Sequence, residues 1–134
     1  MNVDITDLKT VRLSQDGSAV IILDQTCLPG SEVYVSLSSA EEIWEAIYRL
    51  KVRGAPAIGI AAAYGIYVCS RQIAANTYGG FCSEFLRIKD YLASSRPTAV
   101  NLVAALDRME KVVVAHSVNP VSEIVELLRV EAEA

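Results

Sequence analysis

Between Arg53 and Arg71 the chain runs for seventeen residues without a charge, GAPAIGIAAAYGIYVCS. A stretch of that length has to be buried, and its composition decides what can lie against it. Seven of the ten residues from Gly54 to Ala63 are Gly or Ala. Pro56 stands where a helix starts: its ring fixes φ near the helical value, and the N–H it lacks is not needed in the first turn. The pattern predicts a buried helix from about Pro56 to about Ala74. Gly59, Ala62, Ala63 and Gly65 keep it thin, so neighbouring helices can come close. Each Gly in place of Ala gives up roughly 1 kcal/mol of helix stability. The stretch is too short and too rich in Gly and Ala for a membrane span, which takes about 20 strongly apolar residues.

The start of this helix carries the chemistry. The first N–H groups of a helix lack partners and sit at the positive end of its dipole, a natural place for an anion. Gly54 lets a ligand approach the backbone, and Arg53 brings a rigid fork of donors that matches a phosphate. Arg53, Gly54 and Ala55 therefore form a candidate phosphate cradle. The plain alternative is a buried helix with a solvated arginine at its mouth.

Composition narrows the partners. At 134 residues the chain is one domain's worth and can bury a real core. A hydrophobic fraction of 52% and a charged fraction of 21% describe a globular protein. The net charge is −4, without a basic cluster and with few aromatics, which argues against nucleic acid as a partner. Specificity for phosphate then has to come from individual arginines. Cys27, Cys69 and Cys82 have no metal-like spacing, and their odd number points to reduced thiols in the cytoplasm. Cys69 belongs to the apolar helix and reads as core, and Cys27 reads as partly exposed; neither has a base beside it in sequence.

The first 37 residues read as β. Val11 and Leu13 alternate with polar residues, Asp16-Gly17 is a hairpin turn, and Ala19 to Leu23 is an apolar run of strand length. Leu28-Pro29-Gly30 turns the chain again before Val33, Val35 and Leu37. Three short strands suggest a small antiparallel sheet with one covered face. Everything after that reads as helix. Ser39 and Glu42 make a capping box ahead of Ile43, Ile47 and Leu50, on a helix ending near Lys51. After the core helix, Gly79-Gly80 breaks the chain, and Phe81, Phe85, Ile88 and Leu92 mark a third helix to about Ser95. Thr98 can cap a fourth, with Leu102, Leu106, Met109 and Val113 inward. Asn119-Pro120 opens a fifth with Ile124, Leu127 and Leu128 inward. The fold class is α+β, a sheet over 1–37 followed by about five helices over 38–134. No Gly, Asn or Pro closes the last helix, and Glu131 and Glu133 sit where the dipole disfavours them, a physical sign of a fragment.

Ser95-Arg96-Pro97-Thr98 repeats the first site's logic, an arginine ahead of a proline and a helix start. If two antiparallel neighbours bring these starts together, Arg53 and Arg96 can clamp one phosphate. The bland reading leaves Arg96 exposed at a helix junction. Asn101, inside the fourth helix, is within reach of a sugar hydroxyl or simply solvated. His116, near a helix end, reads as structural. Glu41, Glu42 and Glu45 read as a solvated face and a cap, and Asp24 as the head of an Asx-type turn before Gln25-Thr26. Nothing pairs acid with base as a full active site needs.

Lys51-Val52-Arg53-Gly54-Ala55-Pro56-Ala57-Ile58-Gly59-Ile60-Ala61-Ala62-Ala63-Tyr64-Gly65 resembles the signature of the methylthioribose-1-phosphate isomerases. Leu23-Asp24-Gln25-Thr26 with Leu28-Pro29, and Arg96-Pro97-Thr98-Ala99-Val100-Asn101-Leu102, resemble two further motifs of that family, in its order. The resemblance implies an enzyme of methionine salvage that interconverts methylthioribose 1-phosphate and methylthioribulose 1-phosphate without a metal or nucleotide cofactor. It implies that Arg53, Gly54 and Ala55 hold the substrate phosphate and that Arg96 contacts substrate. It also implies a homodimer. The family's catalytic cysteine and aspartate lie in a Rossmann-like C-terminal domain absent from this chain, and none of the three cysteines here falls in the catalytic motif. The chain is thus expected to be an N-terminal domain, residues 1–134, inactive alone and normally packed on a C-terminal domain. Two alternatives remain. One is a regulatory subunit related to translation initiation factor two B, which shares the fold and keeps a sugar-phosphate pocket without the reaction. The other is a helical interaction protein that has lost its ligand.

Overall fold

A computed structural model describes residues 11–27, 30–49, 51–52 and 54–134. Leu28, Pro29, Leu50 and Arg53, all used in the sequence reading, lie outside the described residues. Strands β1 (Val11–Leu13), β2 (Val20–Leu23) and β3 (Tyr34–Leu37) form an antiparallel sheet in the order β1-β2-β3. Leu13 pairs with Val20, and Val20 with Leu37. The β1–β2 turn is the expected Asp16-Gly17, with Gly17 at φ 76°, a backbone that a side chain would strain. The Asp16 carboxylate accepts from the Ser18 hydroxyl (2.7 Å) and N–H (3.0 Å) and from the Ser14 hydroxyl (2.9 Å), which hold its pKa down to about 2. Val11, Val20, Ile22 and Leu37 are buried, so the sheet has the one covered face that its alternation required.

Five helices follow: α1 (Ala40–Tyr48), α2 (Ala55–Arg71), α3 (Tyr78–Ala93), α4 (Val100–Ala115) and α5 (Val121–Glu133). The α+β class expected from the sequence is the observed one. Helix α2 is the axis of the fold, packed against every other helix and against β1 and β2. Ala62, Ala63, Ile66 and Val68 on it have no measurable exposure. Its neighbours contribute the predicted faces, and Phe81, Phe85, Leu92, Leu102, Leu106, Met109, Val113, Ile124 and Leu128 are fully buried. No helix among the described residues is long and apolar enough to cross a membrane.

The element ends depart from the sequence reading in instructive ways. Helix α2 stops at Arg71, short of Ala74, because Gln72 N–H and Ile73 N–H turn back to the Cys69 and Ser70 carbonyls in tighter, three-residue bonds. Gly79-Gly80 is not a break but part of the first turn of α3. Thr77 caps that helix, its hydroxyl oxygen accepting from Gly80 N–H at 3.1 Å, and the chain breaks ahead of it, over 73–77. Thr98 is not the cap of α4: Ala99 holds that position, with no side-chain bond. Helix α1 ends at Tyr48, before Lys51, and α3 at Ala93, before Ser95. Leu127 is only half-buried; Ala132 joins Ile124 and Leu128 in the core instead. The acidic end of α5 finds a cation, since the Arg108 guanidinium donates to the Glu131 carbonyl at 2.9 Å and to its carboxylate at 2.5 Å. That contact from α4 offsets the dipole penalty.

Candidate functional site

Helix α2 starts at Gly54, with φ 89° and no side chain to cap the helix. Gly54 is exposed, and a Cβ built there would meet nothing within 4 Å. Its first N–H groups are thus approachable from outside. Ala55 is the first helical residue. Helix α4 also starts without a side-chain cap, at Ala99. Helices α1 and α3, by contrast, are capped by Ser39 and Thr77.

The first turn of α4 lies against the second turn of α2. A Cβ on Gly59, in the second turn of α2, would stand 3.3 Å from the Asn101 carbonyl oxygen, 3.7 Å from Asn101 Cβ and 3.9 Å from Ala105 Cβ. Further along, Ile60 and Tyr64 of α2 share an open groove of about 570 Å³ with Ala104 and Arg108 of α4. The two helices therefore run in the same direction. This corrects the expectation that antiparallel neighbours would join the starts: α3 carries the chain back between them, so α2 and α4 both begin at one end. The uncapped start of α5 follows the C-terminus of α4, about 24 Å of helix away.

Arg96 stands in the turn that leads into α4. Its Nε is buried and has no hydrogen-bond partner among the described residues, and a buried donor without a partner costs about 1–3 kcal/mol. Its backbone is fixed, with the carbonyl accepting from Ala99 N–H at 2.9 Å. Ser95 before it is buried, its hydroxyl donating to the Leu92 carbonyl at 2.6 Å. Asn101 is exposed and lines the groove. The structure thus brings Gly54, Ala55 and the first turn of α4 to one end.

The segment approaching α2 is held by the strand-end motif. Gln25 N–H donates to the Lys51 carbonyl at 2.9 Å, and Val52 is buried. Asp24, 6% exposed, forms the expected Asx turn, accepting from Thr26 N–H at 2.9 Å and from its hydroxyl at 2.5 Å. Burial pushes its carboxyl up, but the two Thr26 bonds and the Lys51 charge outweigh it and hold the pKa below the ordinary 3.8. A group with a depressed folded pKa stabilises above the unfolded value and loses that contribution as the pH falls through the folded one. Asp24→Asn is therefore expected to lose about 1–2 kcal/mol at pH 7. Its deficit against the wild type should shrink steadily below about pH 4. Denaturant melts of both proteins between pH 7 and pH 2 check this; a deficit that stays constant would rule the carboxylate out.

The remaining candidates are structural. His116 closes α4, its Nδ1 bonded to the Val112 carbonyl at 2.8 Å. Glu45 pairs with Arg49, and Glu42 serves the α1 start, accepting from Ser38 N–H at 2.8 Å while its own N–H donates to the Ser39 hydroxyl at 3.1 Å. Cys69 is buried, and burial raises its thiol pKa to about 12, which leaves no useful thiolate at neutral pH. Neither the three cysteines nor His116 lines the groove. The free N–H groups at the two helix starts can accept an anion. Tyr64 and Arg108, which line the groove, were missed from the sequence. Tyr64 had a signal, as a bulky residue among small ones, whereas the place of Arg108 depends on how α4 and α5 pack.

A small antiparallel sheet laid on a helical bundle, with two uncapped helix starts opening at one end, makes this an α+β domain. The chain belongs to the Initiation factor 2 subunit family, which matches residues 51–134. It is 63% identical, over 92% of its length, to a methylthioribose-1-phosphate isomerase of Parabacteroides distasonis, of which it covers 37%. It is 47% identical, over 86% of its length, to a 5-deoxyribose 1-phosphate isomerase of Bacillus thuringiensis, of which it covers 33%. Among solved structures, the 5-methylthioribose 1-phosphate isomerase of Pyrococcus horikoshii superposes with a TM-score of 0.87 at 39% identity, over 92% of this chain and 34% of that one. Subunit delta of the translation initiation factor eIF-2B from A. fulgidus superposes with a TM-score of 0.83 at 33% identity, over 92% of this chain and 35% of that one. The chain spans about a third of the length of the relatives it matches.

Proposed function

We propose that these residues are the phosphate-positioning, N-terminal part of an isomerase that interconverts methylthioribose 1-phosphate and methylthioribulose 1-phosphate in methionine salvage. Arg53, the N–H groups at Gly54 and Ala55, and Arg96 hold the phosphate in this reading. The observation that carries it is that two uncapped helix starts open at the same end, with an arginine in the turn before α4 whose buried Nε has no partner among the described residues. Fixed N–H groups and a guanidinium keep the sugar still while a proton moves between C1 and C2. The groups that move the proton belong, on this reading, to a C-terminal domain beyond these residues. The thiol pKa of about 12 at Cys69 agrees with that division. We take the protein to be cytoplasmic, in keeping with its free cysteines, and a homodimer.

The likeness to the eIF-2B subunit favours one other reading, a regulatory subunit that binds a sugar phosphate and does not turn it over. Two measurements decide. Calorimetric titration with methylthioribose 1-phosphate should show binding by the wild type, weakened roughly ten- to hundredfold in Arg96→Ala, the loss of a charged hydrogen-bonding partner. Joining these 134 residues to the remainder of the Parabacteroides distasonis relative should give a chimera that forms the ketose. Binding without turnover in the chimera would support the regulatory reading, and equal binding by Arg96→Ala would remove Arg96 from the site.

A further inference from the structure

Helix α1 leads into the segment that ends at Gly54, and α3 leads into the segment that contains Arg96. The C-terminal end of α3 is fastened to the middle of α1. Trp44 Nε1, on α1, donates to the Ser94 hydroxyl oxygen at 2.9 Å. Ser94, the C-cap of α3, passes its own proton to the Tyr91 carbonyl at 2.6 Å, so both hydroxyl functions are used. The Trp44 ring stacks on Tyr91 of α3 at 6.0 Å and on Tyr48 of its own helix at 4.8 Å. The contact spans 50 residues of sequence. The α3 side is short. From Ser94 the chain passes through the buried Ser95 to Arg96. From Trp44 it passes through Lys51, whose N–H donates to the Ala46 carbonyl at 2.9 Å, and the buried Val52.

We infer that Trp44 and Ser94 are positioning residues for the phosphate site, a clasp that sets the Arg96 turn against the start of α2. This rests on the phosphate site proposed above. Neither residue touches the ligand. The clasp fixes the separation of two donor groups that must meet one small anion, and an error of about 1 Å in such a separation is costly. Trp44 is also the only tryptophan in the chain, so its indole N–H reports on the clasp directly.

The test follows that single indole resonance and the backbone amides by ¹⁵N NMR during titration of the whole chain with inorganic phosphate, then with ribose 1-phosphate. The wild type should show shifts at the α2 start, at Arg96 and at the Trp44 indole. Ser94→Ala should weaken binding about five- to tenfold, the loss expected when one hydrogen bond no longer holds the geometry. Its melting temperature should stay close to the wild type, and Ser94→Thr, which keeps the hydroxyl, should restore affinity. Trp44→Phe keeps the stack and removes the N–H; followed by calorimetry, it should reproduce the loss, and it replaces Ser94→Ala if that variant does not fold. Wild-type affinity in Ser94→Ala, or a loss that Ser94→Thr does not restore, overturns the clasp and leaves the phosphate site standing. Absence of phosphate shifts in the wild type overturns the site and the clasp together.

Discussion

Gly65→Val is expected to destabilise the domain by about 3 kcal/mol, the upper part of the range for forcing extra carbon into a packed core. Helix α1 crosses α2 at this point. A Cβ on Gly65 would stand 2.9 Å from Ile43 Cγ2, 3.2 Å from Cδ1 and 3.6 Å from Cγ1. Ile43 is 1% exposed and its Cγ2 is fixed directly on Cβ, so it has no free direction in which to retreat. Even Gly65→Ala has to move α1, and the roughly 1 kcal/mol of helix propensity it gains cannot cover the displacement. Gly79 is the control. It is exposed in the first turn of α3, and a Cβ there meets nothing within 4 Å. Gly79→Ala should therefore be neutral or stabilise by a few tenths of a kcal/mol up to about 1 kcal/mol. Thermal and denaturant melts of the three variants give the comparison. The same chemical change should have opposite signs at the two positions. A Gly65→Val melting temperature within a couple of degrees of the wild type would show that α1 is free to slide.

Local chemistry made much of this fold readable. The alternation of Val35 and Leu37 with Tyr34 and Ser36, the Asp16-Gly17 turn and the 3.6-residue spacing of Phe81, Phe85, Ile88 and Leu92 are each decided within a few residues, whereas Val33 falls outside β3 and is exposed. The uncharged run announced the central helix for the same reason. What failed depended on competition between neighbours. Gly79-Gly80 read as a break because glycine disfavours helix, but the Thr77 cap stabilises that first turn, and the lack of a side chain at Gly80 leaves its hydroxyl room, 3.2 Å from where a Cβ would sit. Thr98 read as a cap by residue type alone, yet the turn that fixes Arg96 puts Ala99 in that place. The candidate site was half legible. Arginine and proline ahead of a helix pointed to Gly54, Ala55 and Arg96 one at a time. That the two starts converge, and in parallel, is a property of the crossing at Gly59, which no local pattern encodes. The Trp44–Ser94 bond and the Arg108 contact with Glu131 join distant segments and were equally beyond reach.

Gly59→Leu should separate binding from folding. At Gly59 the backbone of α2 comes so near α4 that a Cβ would stand 3.3 Å from the Asn101 carbonyl oxygen, a backbone atom that cannot rotate aside. Alanine presses α4 back by a few tenths of an ångström and gains roughly 1 kcal/mol of helix propensity, so Gly59→Ala should stay near wild-type stability. Leucine cannot be fitted by so small a shift. Part of its side chain can turn into the open groove beside Ile60 and Tyr64, which limits the stability cost to about 1–2 kcal/mol. The first turn of α4 must still move outward, and it carries the uncapped N–H groups and follows directly from Arg96. Donors on two helices meet one phosphate only at a fixed spacing, so affinity should fall at least about tenfold in Gly59→Leu, while Gly59→Ala loses little. Calorimetry with a sugar phosphate, beside a denaturant melt of each variant, reads the two effects separately. Wild-type affinity in Gly59→Leu would mean that the starts of α2 and α4 do not share a ligand, and the phosphate would then belong to α2 alone.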